Sequence, residues 1–522
     1  MSTRTLQNYL NTLPTEEAAN LESVLALNNL TNLVKGEPGG GGVPTGFTVI
    51  AANDSSTEDK TGADVVCDGT ADQVEINAQL SNGNVHLLKG TYNISDNVIL
   101  PSNRILQGSG PESVITPAEG TMAGWTTYAV TTGTALQDYK SAVTTASHDI
   151  NNKVQNITIR DLVIDGNRIE TNNEPFSCLH MDAVRNMTAS GLIIKNIPNS
   201  TGDARPFGIF ISRCDGVVVE KCKVGDGGYD GISLRDRPIN VVIKGCYVWG
   251  SSMTSSGAAI QMAPQLSTGD IDGEDEDTGI GYIAIVNNHL FNFESAGLIH
   301  HSGSRKTRFT IIANNFIVGL DGVQKSSCMH IQYPGEELLI ANNYMRAQGD
   351  SADGTVAFKI WNGSSPNPNG INIVGNIIRA PHYPLRIEEL RHAVISNNNL
   401  IGGFSGIYVM DETTSRLAIT GNVIRSGSSN SAIRLHTLTH SLISGNVISC
   451  SNSDGRGILI EQGGSNMISN NVITDIQDTA PAAIELQVGA DNSFVHGNLI
   501  NPNTSIVDDG AGNTVNNNMG NI

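Results

Sequence analysis

Short apolar runs alternate with short polar ones along most of the chain, and the pattern recurs. One phrase reads apolar-x-apolar, two or three polar residues that are often Asn, then apolar-apolar. It occurs as Ile283-Ala-Ile-Val-Asn-Asn-His-Leu, as Thr310-Ile-Ile-Ala-Asn-Asn-Phe-Ile and as Leu442-Ile-Ser-Gly-Asn-Val-Ile. Its marker residues are Asn288, Asn315, Asn343, Asn376, Asn398, Asn422, Asn446, Asn471 and Asn498, spaced by 27, 28, 33, 22, 24, 24, 25 and 27 residues. Less regular copies place markers at Asp161, Asn196, Cys222 and Cys246. A strand-and-turn period in the mid-twenties predicts stacked β-coils, because one coil cannot bury its own apolar side and a stack can. The recurring Asn suits a tight turn, where Asn tolerates the left-handed conformation and its side chain can bond to the Asn of the next coil.

A further strand is predicted once per coil, as in Met329-His-Ile-Gln, Phe358-Lys-Ile-Trp, Leu385-Arg-Ile-Glu, Ile407-Tyr-Val-Met and Ile433-Arg-Leu-His. Its period of two sends one set of side chains inward and the other outward. Aligning these strands stacks one outward column: Ser233, Gln261, Ile299, His330, Lys359, Arg386, Tyr408, Arg434, Leu459 and Glu485. A neighbouring column holds Arg235, Ala263, His301, Gln332, Trp361, Glu388, Met410, His436 and Glu461. Longer departures at roughly 116–150, 198–206, 251–281, 347–355 and 362–370 read as loops. Residues 1–35 read as a helical anchor or oligomerisation segment and 36–46 as a Gly-rich linker. Residues 47–115 read as the cap region and 116–522 as the solenoid.

Three stretches of the cap region carry a family resemblance. They are Asp68-Gly-Thr-Ala-Asp, which opens a short helix, then Gly90-Thr-Tyr, then Leu106-Gln-Gly-Ser-Gly. The run resembles the opening of the pectate-lyase-like superfamily, to which phage tailspikes and many polysaccharide lyases and hydrolases belong. The resemblance covers roughly sixty residues and implies a right-handed parallel β-helix. It also implies a virion tailspike-like or host-surface protein that recognises, and in some members cleaves, a cell-surface polysaccharide, usually as a homotrimer. Outward Phe210, Ile299, Leu459 and Val507 are candidate trimer contacts. A non-catalytic fibre or receptor-binding virion protein is the alternative. A free-standing lyase, hydrolase or uronate epimerase is a further one.

Charge and composition narrow these classes. The net charge is −20, which argues against a nucleic-acid partner. No run of about 18 apolar residues is present for a membrane span, and Met1–Leu13 lacks the apolar core of a signal peptide. Taken with the absent signal peptide, the tailspike resemblance implies a virion protein made without export, its N-terminal segment docking other virion proteins. The seven Cys lack metal spacing and read as buried thiols. The acidic run at 270–277 is a candidate calcium loop, and no other cofactor is expected.

Lys359, Arg386 and Arg434 in one column, with Trp361 and Tyr408 as flat faces, predict a groove for an anionic glycan; Glu388, two residues beyond Arg386, could instead pair with it. For catalysis, Glu389 and Asp411 are the candidate carboxylate pair of a hydrolase. His330 and Tyr408, with Lys359 and Arg386, are the candidate acid–base and charge-neutralising groups of a lyase. Asp230 and Asp236 flank another strand.

Overall fold

The computed structural model describes residues 46–118, 128–132, 135–149, 151–167, 176–198, 205–236, 238–250, 257–263, 281–293, 296–301, 308–319, 327–332, 336–349, 355–361, 370–410, 414–427, 430–451, 455–474, 476, 482–501 and 504–520. The expected anchor, most of the linker, the acidic run at 270–277 and Asp411 lie outside them. The chain divides into two compact units. The N-terminal unit comprises residues 1–253 and 263–289, and the C-terminal unit 254–262 and 290–522.

Each unit is a right-handed parallel β-helix whose coil has three strands. In the N-terminal unit one coil runs Val184–Ser190, Ile193–Lys195 and Phe207–Ser212; the next runs Asp215–Glu220, Lys223–Gly225 and Asp230–Arg235. Strands pair in parallel with equivalent residues in register: Val219 with Ile243, Val224 with Val248, Ile211 with Leu234. The C-terminal unit repeats the plan, with Ile395 on Ile419, Ile424 on Ile448 and Leu385 on Ile407. These apolar columns point inward and are fully buried. Each such side chain contributes roughly 1.5–3 kcal/mol on leaving water. The expected loop at 116–150 holds more order than the sequence suggests. Tyr128–Thr132 and Ala135–Thr145 form an antiparallel hairpin, and the long strand also joins the parallel stack, with Val143 beside Leu179.

Two adjacent residues build the corner between first and second strands. The first takes positive φ: Asn342 at 55°, Gly375 at 69°, Asn397 at 56°, Gly421 at 65°. The second is a buried Asn. The backbone N–H of Asn398 donates to Asn422 Oδ1 at 2.9 Å and its Nδ2 to the same oxygen at 3.0 Å; Asn422 does likewise to Asn446. Each Nδ2 also donates to a carbonyl of the preceding coil, as Asn422 does to Ile395 O at 2.8 Å. The buried amides of Asn398 and Asn422 are thereby satisfied by the coils on either side. In the N-terminal unit the equivalent column reads Leu162, Leu192, Cys222, Cys246 and Asn288, linked by N–H donation across each second strand. Two expected markers are therefore displaced. Asp161 is the positive-φ residue one position early, and Asn196 stands beyond the far end of its second strand, its amide donating to Asp165. All seven Cys are free and buried.

The cap motifs have structural jobs. Asp72 precedes helix α2 (Gln73–Asn82), which follows helix α1 (Thr57–Gly62). Its carboxylate accepts the N–H groups of Gly69 (2.9 Å) and Asn93 (2.7 Å), tying the helix start to the first coil. Gly90 has φ 147° and no room for a Cβ, which would meet that of Ala52 at 2.6 Å. The Tyr92 hydroxyl is buried against the carbonyls of Ile50 (2.8 Å) and Leu88 (2.9 Å). No helix among the described residues is long and apolar enough to cross a membrane.

Candidate functional site

In the C-terminal unit the third strands of successive coils bring the expected column together. Gln261, Ile299, His330, Lys359, Arg386, Tyr408, Arg434, Leu459 and Glu485 lie in continuous register. Its cations are paired. Glu388 Oε1 receives both Lys359 Nζ at 3.1 Å and Arg386 Nη2 at 2.9 Å. Glu461 receives Arg434 Nε at 2.7 Å and Glu485 receives Arg456. The expected cationic stripe is instead a ladder of ion pairs. Aromatic rings interleave with it. Tyr383 stacks on Tyr408 at 5.1 Å, the Arg434 guanidinium lies 5.2 Å over Tyr408, and Lys359 Nζ lies 5.8 Å from the centre of Trp361. His382 packs on Phe404 at 4.5 Å beside them. The charged groups here stay partly exposed, between 16 and 31% at Lys359, Arg386, Glu388, Arg434 and Glu461. Burial works against its charge, yet Glu461 raises the Arg434 pKa. Burial next to the Tyr408 phenol raises that of Tyr383.

The carboxylates on this face are spread over several coils, with Glu461 and Glu485 one coil apart in neighbouring columns. Glu388 and Glu461 are three coils from each other, about 14 Å at a strand spacing of about 4.8 Å. Hydrolysis needs 5–9.5 Å or so. Glu389 is half-buried at the end of its strand, and its expected companion Asp411 lies outside the described residues.

The third strands of the N-terminal unit present a different face, one that is buried although it points away from the core. Asp182 is at its centre. Its carboxylate accepts Ser212 Oγ (2.6 Å), His148 Nδ1 (2.7 Å) and both Nε (2.8 Å) and Nη2 of Arg213. Burial alone would raise the Asp182 pKa, but the bonds from His148 and Arg213 prevail and hold it well below the carboxylate range. His180 is fully buried between His148 (5.4 Å) and Phe210 (4.8 Å). Burial takes its pKa down to about 3, with Asp182 opposing and His148 and Arg213 assisting. Asp230, a flank of the neighbouring strand, is buried against Arg235 at 3.4 Å. Phe210, Ile299 and Leu459 are 0, 9 and 5% exposed within the chain, so of the four candidate trimer contacts Val507 alone reaches the surface appreciably.

Atoms of His148, His180 and Asp182 lie within 4.8 Å of one another, close enough to suggest a metal. The Asp182 oxygens are already saturated, and Arg213 places a fixed positive charge beside them, so the trio does not fit a cation. Nor do Cys67, Asp72 and Glu75, the other such group among the described residues. The Cys67 thiol is held protonated by burial and by nearby carboxylates, and Asp72 is committed to the cap.

A family model described as periplasmic copper-binding protein (NosD) matches residues 335–521. A search of curated proteins finds no sequence match. Among solved structures, the tailspike protein of E. coli bacteriophage HK620, a mutant in complex with a pentasaccharide, superposes with TM-score 0.52 at 13% identity. That match covers 77% of this chain and 74% of the other. The complex with a hexasaccharide gives TM-score 0.51 at 13% identity, covering 77% and 73%. The A-module of an Azotobacter vinelandii mannuronan C-5 epimerase gives TM-score 0.36 at 15% identity, covering 87% and 97%. This chain has the pectate-lyase-like right-handed parallel β-helix fold. Within that β-helix, register alone places His330, Lys359, Arg386, Tyr408 and Arg434 on one face. Tyr383, His382 and Phe404 are missed by sequence reasoning, because they sit at or just before the start of a third strand and break its alternation. The Asp182 network is missed because its members come from a corner (Arg213), a strand end (Asp182, Ser212) and a segment read as loop (His148).

Proposed function

We propose that this β-helix recognises a polysaccharide laid along the third-sheet face of its C-terminal unit. The observation that carries the reading is the interleaving of stacked Tyr383 and Tyr408 with the Arg434–Glu461 and Lys359–Glu388–Arg386 ion pairs on one partly exposed face. Aromatic faces suit the apolar faces of sugar rings. Paired guanidinium and carboxylate groups suit hydroxyls, since each pair offers both donors and acceptors in fixed positions. Pairing also neutralises the stripe, so the glycan this face favours is uncharged or weakly charged. Two structures of the HK620 tailspike protein that superpose with TM-scores above 0.5 are complexes with oligosaccharides, which supports a host-surface attachment role of the virion kind.

Binding without cleavage is the reading for this face. Glu388 and Glu461 are too distant from each other for a hydrolytic pair, and Glu388, Glu461 and Glu485 are each held by Lys or Arg. The copper in the NosD name is not carried over, because no ligand cluster is found among the described residues of 335–521. The test is a panel of bacterial surface polysaccharides, scored for binding and for new reducing ends or unsaturated sugars. Wild type binds at least one neutral or weakly acidic glycan, and Tyr408→Ala weakens it about fivefold, the equivalent of about 1 kcal/mol. Undiminished binding by Tyr408→Ala, or cleavage abolished by Glu388→Gln, would contradict the proposal.

A further inference from the structure

A different face of the C-terminal unit carries a feature that the glycan reading does not use. In the second sheet, Arg346 and Arg379 stand in register in adjacent coils. The N–H of Ala347 donates to the carbonyl of Arg379 at 3.0 Å, so the two backbones are locked side by side. Arg425 follows two coils on, in the same column beyond Ile401. All three are exposed. Like charges directly opposite on paired strands repel, and this pair sits at a strand spacing of about 4.8 Å. On the third sheet Lys359, Arg386 and Arg434 all have carboxylate partners. Among the described residues no carboxylate pairs with Arg346 or Arg379. A cavity of about 310 Å³ opens beside them, lined by Arg346, Gln348, Gly349, Arg379, Pro381 and Ile401. Its described lining contains no acidic side chain, although the whole chain carries a net charge of −20.

We propose that this cavity is an oxyanion site. Arg346 and Arg379 take a carboxylate, sulfate or phosphate group between them, and Arg425, about 10 Å further along the column, takes a second one. Guanidinium forks suit such groups because they donate two parallel bonds to two oxygens. A column of this kind fits an acidic polysaccharide running along the coil stack, whereas a free inorganic oxyanion would need only the first pair. This site lies on another sheet from the aromatic face, and neither depends on the other.

The test uses the full-length protein with four probes: polygalacturonate, dextran sulfate, neutral dextran and inorganic sulfate. Affinities are measured at about 20 and 150 mM salt. At least one of the two polyanions binds, neutral dextran does not, and affinity falls steeply with salt. The double variant Arg346→Gln, Arg379→Gln loses at least tenfold, and Arg425→Gln loses a smaller factor for the polymers only. A second readout needs no polymer. Sulfate raises the melting temperature of wild type, whereas the double variant melts slightly higher without sulfate, its repulsion removed, and does not respond to it. Sulfate binding that needs both arginines, with no polyanion binding, assigns the site to a free oxyanion and still supports it. Equal polyanion and sulfate binding by wild type and double variant, or no binding of any anion by wild type, overturns the proposal.

Discussion

At each corner of the C-terminal unit two neighbouring residues divide the labour. One accepts a left-handed backbone, and Asn or Gly serves there without much strain. The next buries a primary amide that holds the coils before and after it. Replacing Asn422 by Ala strips acceptors from Asn398 N–H and Nδ2 and a donor from Ile395 O. Unmet buried polar groups cost about 1–3 kcal/mol each. Asn422→Ala should therefore lose about 3 kcal/mol in urea unfolding. Gly421→Ala, whose cost is backbone strain and a close contact with Asn397 Oδ1 at 2.6 Å, should lose less than that. The corners are legible in the sequence, because Asn-Asn and Gly-Asn recur at a coil's spacing. The division between the two positions is not legible, since the same residue type fills both.

The third strand shows how one element can serve two ends. In the C-terminal unit its outward residues from His330 to Arg434 stay partly exposed and mixed in charge. In the N-terminal unit they are buried around Asp182, an arrangement with a consequence in acid. The folded pKa of His180, about 3, is below its ordinary value of 6.5. The unfolded chain therefore takes the proton first. Stability from this group is whole above about pH 6.5 and is lost as pH falls towards 3, by about 1.4 kcal/mol per pH unit. Asp182, also depressed, adds a further loss that begins only below about pH 4. Urea midpoints at pH 7 and pH 5 should show wild type losing about 2 kcal/mol more than His180→Gln over that interval. Asp182→Asn should cost about 3 kcal/mol or more at pH 7, because Arg213 would keep a buried charge with no counter-ion. Strand alternation makes the columns legible. It cannot say whether an outward face is covered, because burial there depends on segments far away in the sequence, such as the one that supplies His148.

For the molecule, the repeat dictates that stability is distributed coil by coil. The segment 399–422 is one coil long, from the residue after one ladder Asn to the next ladder Asn. Removing it should leave a folded β-helix by circular dichroism, because Asn398 would meet Asn446 in place of Asn422. Removing residues 399–410 alone should not, since it deletes the second and third strands of one coil and joins the first strand Arg391–Ser396 directly to the next first strand Ser415–Thr420. Trp361 offers the most direct test of the glycan reading. It is one of three Trp in the chain and stands beside Lys359 on the proposed face. Tryptophan emission would be followed during titration with a polysaccharide that the panel shows to bind. A saturable change is expected in wild type, and it should vanish in Trp361→Phe while the protein still binds. A change of equal size in Trp361→Phe, or none in wild type at saturation, would contradict the glycan reading.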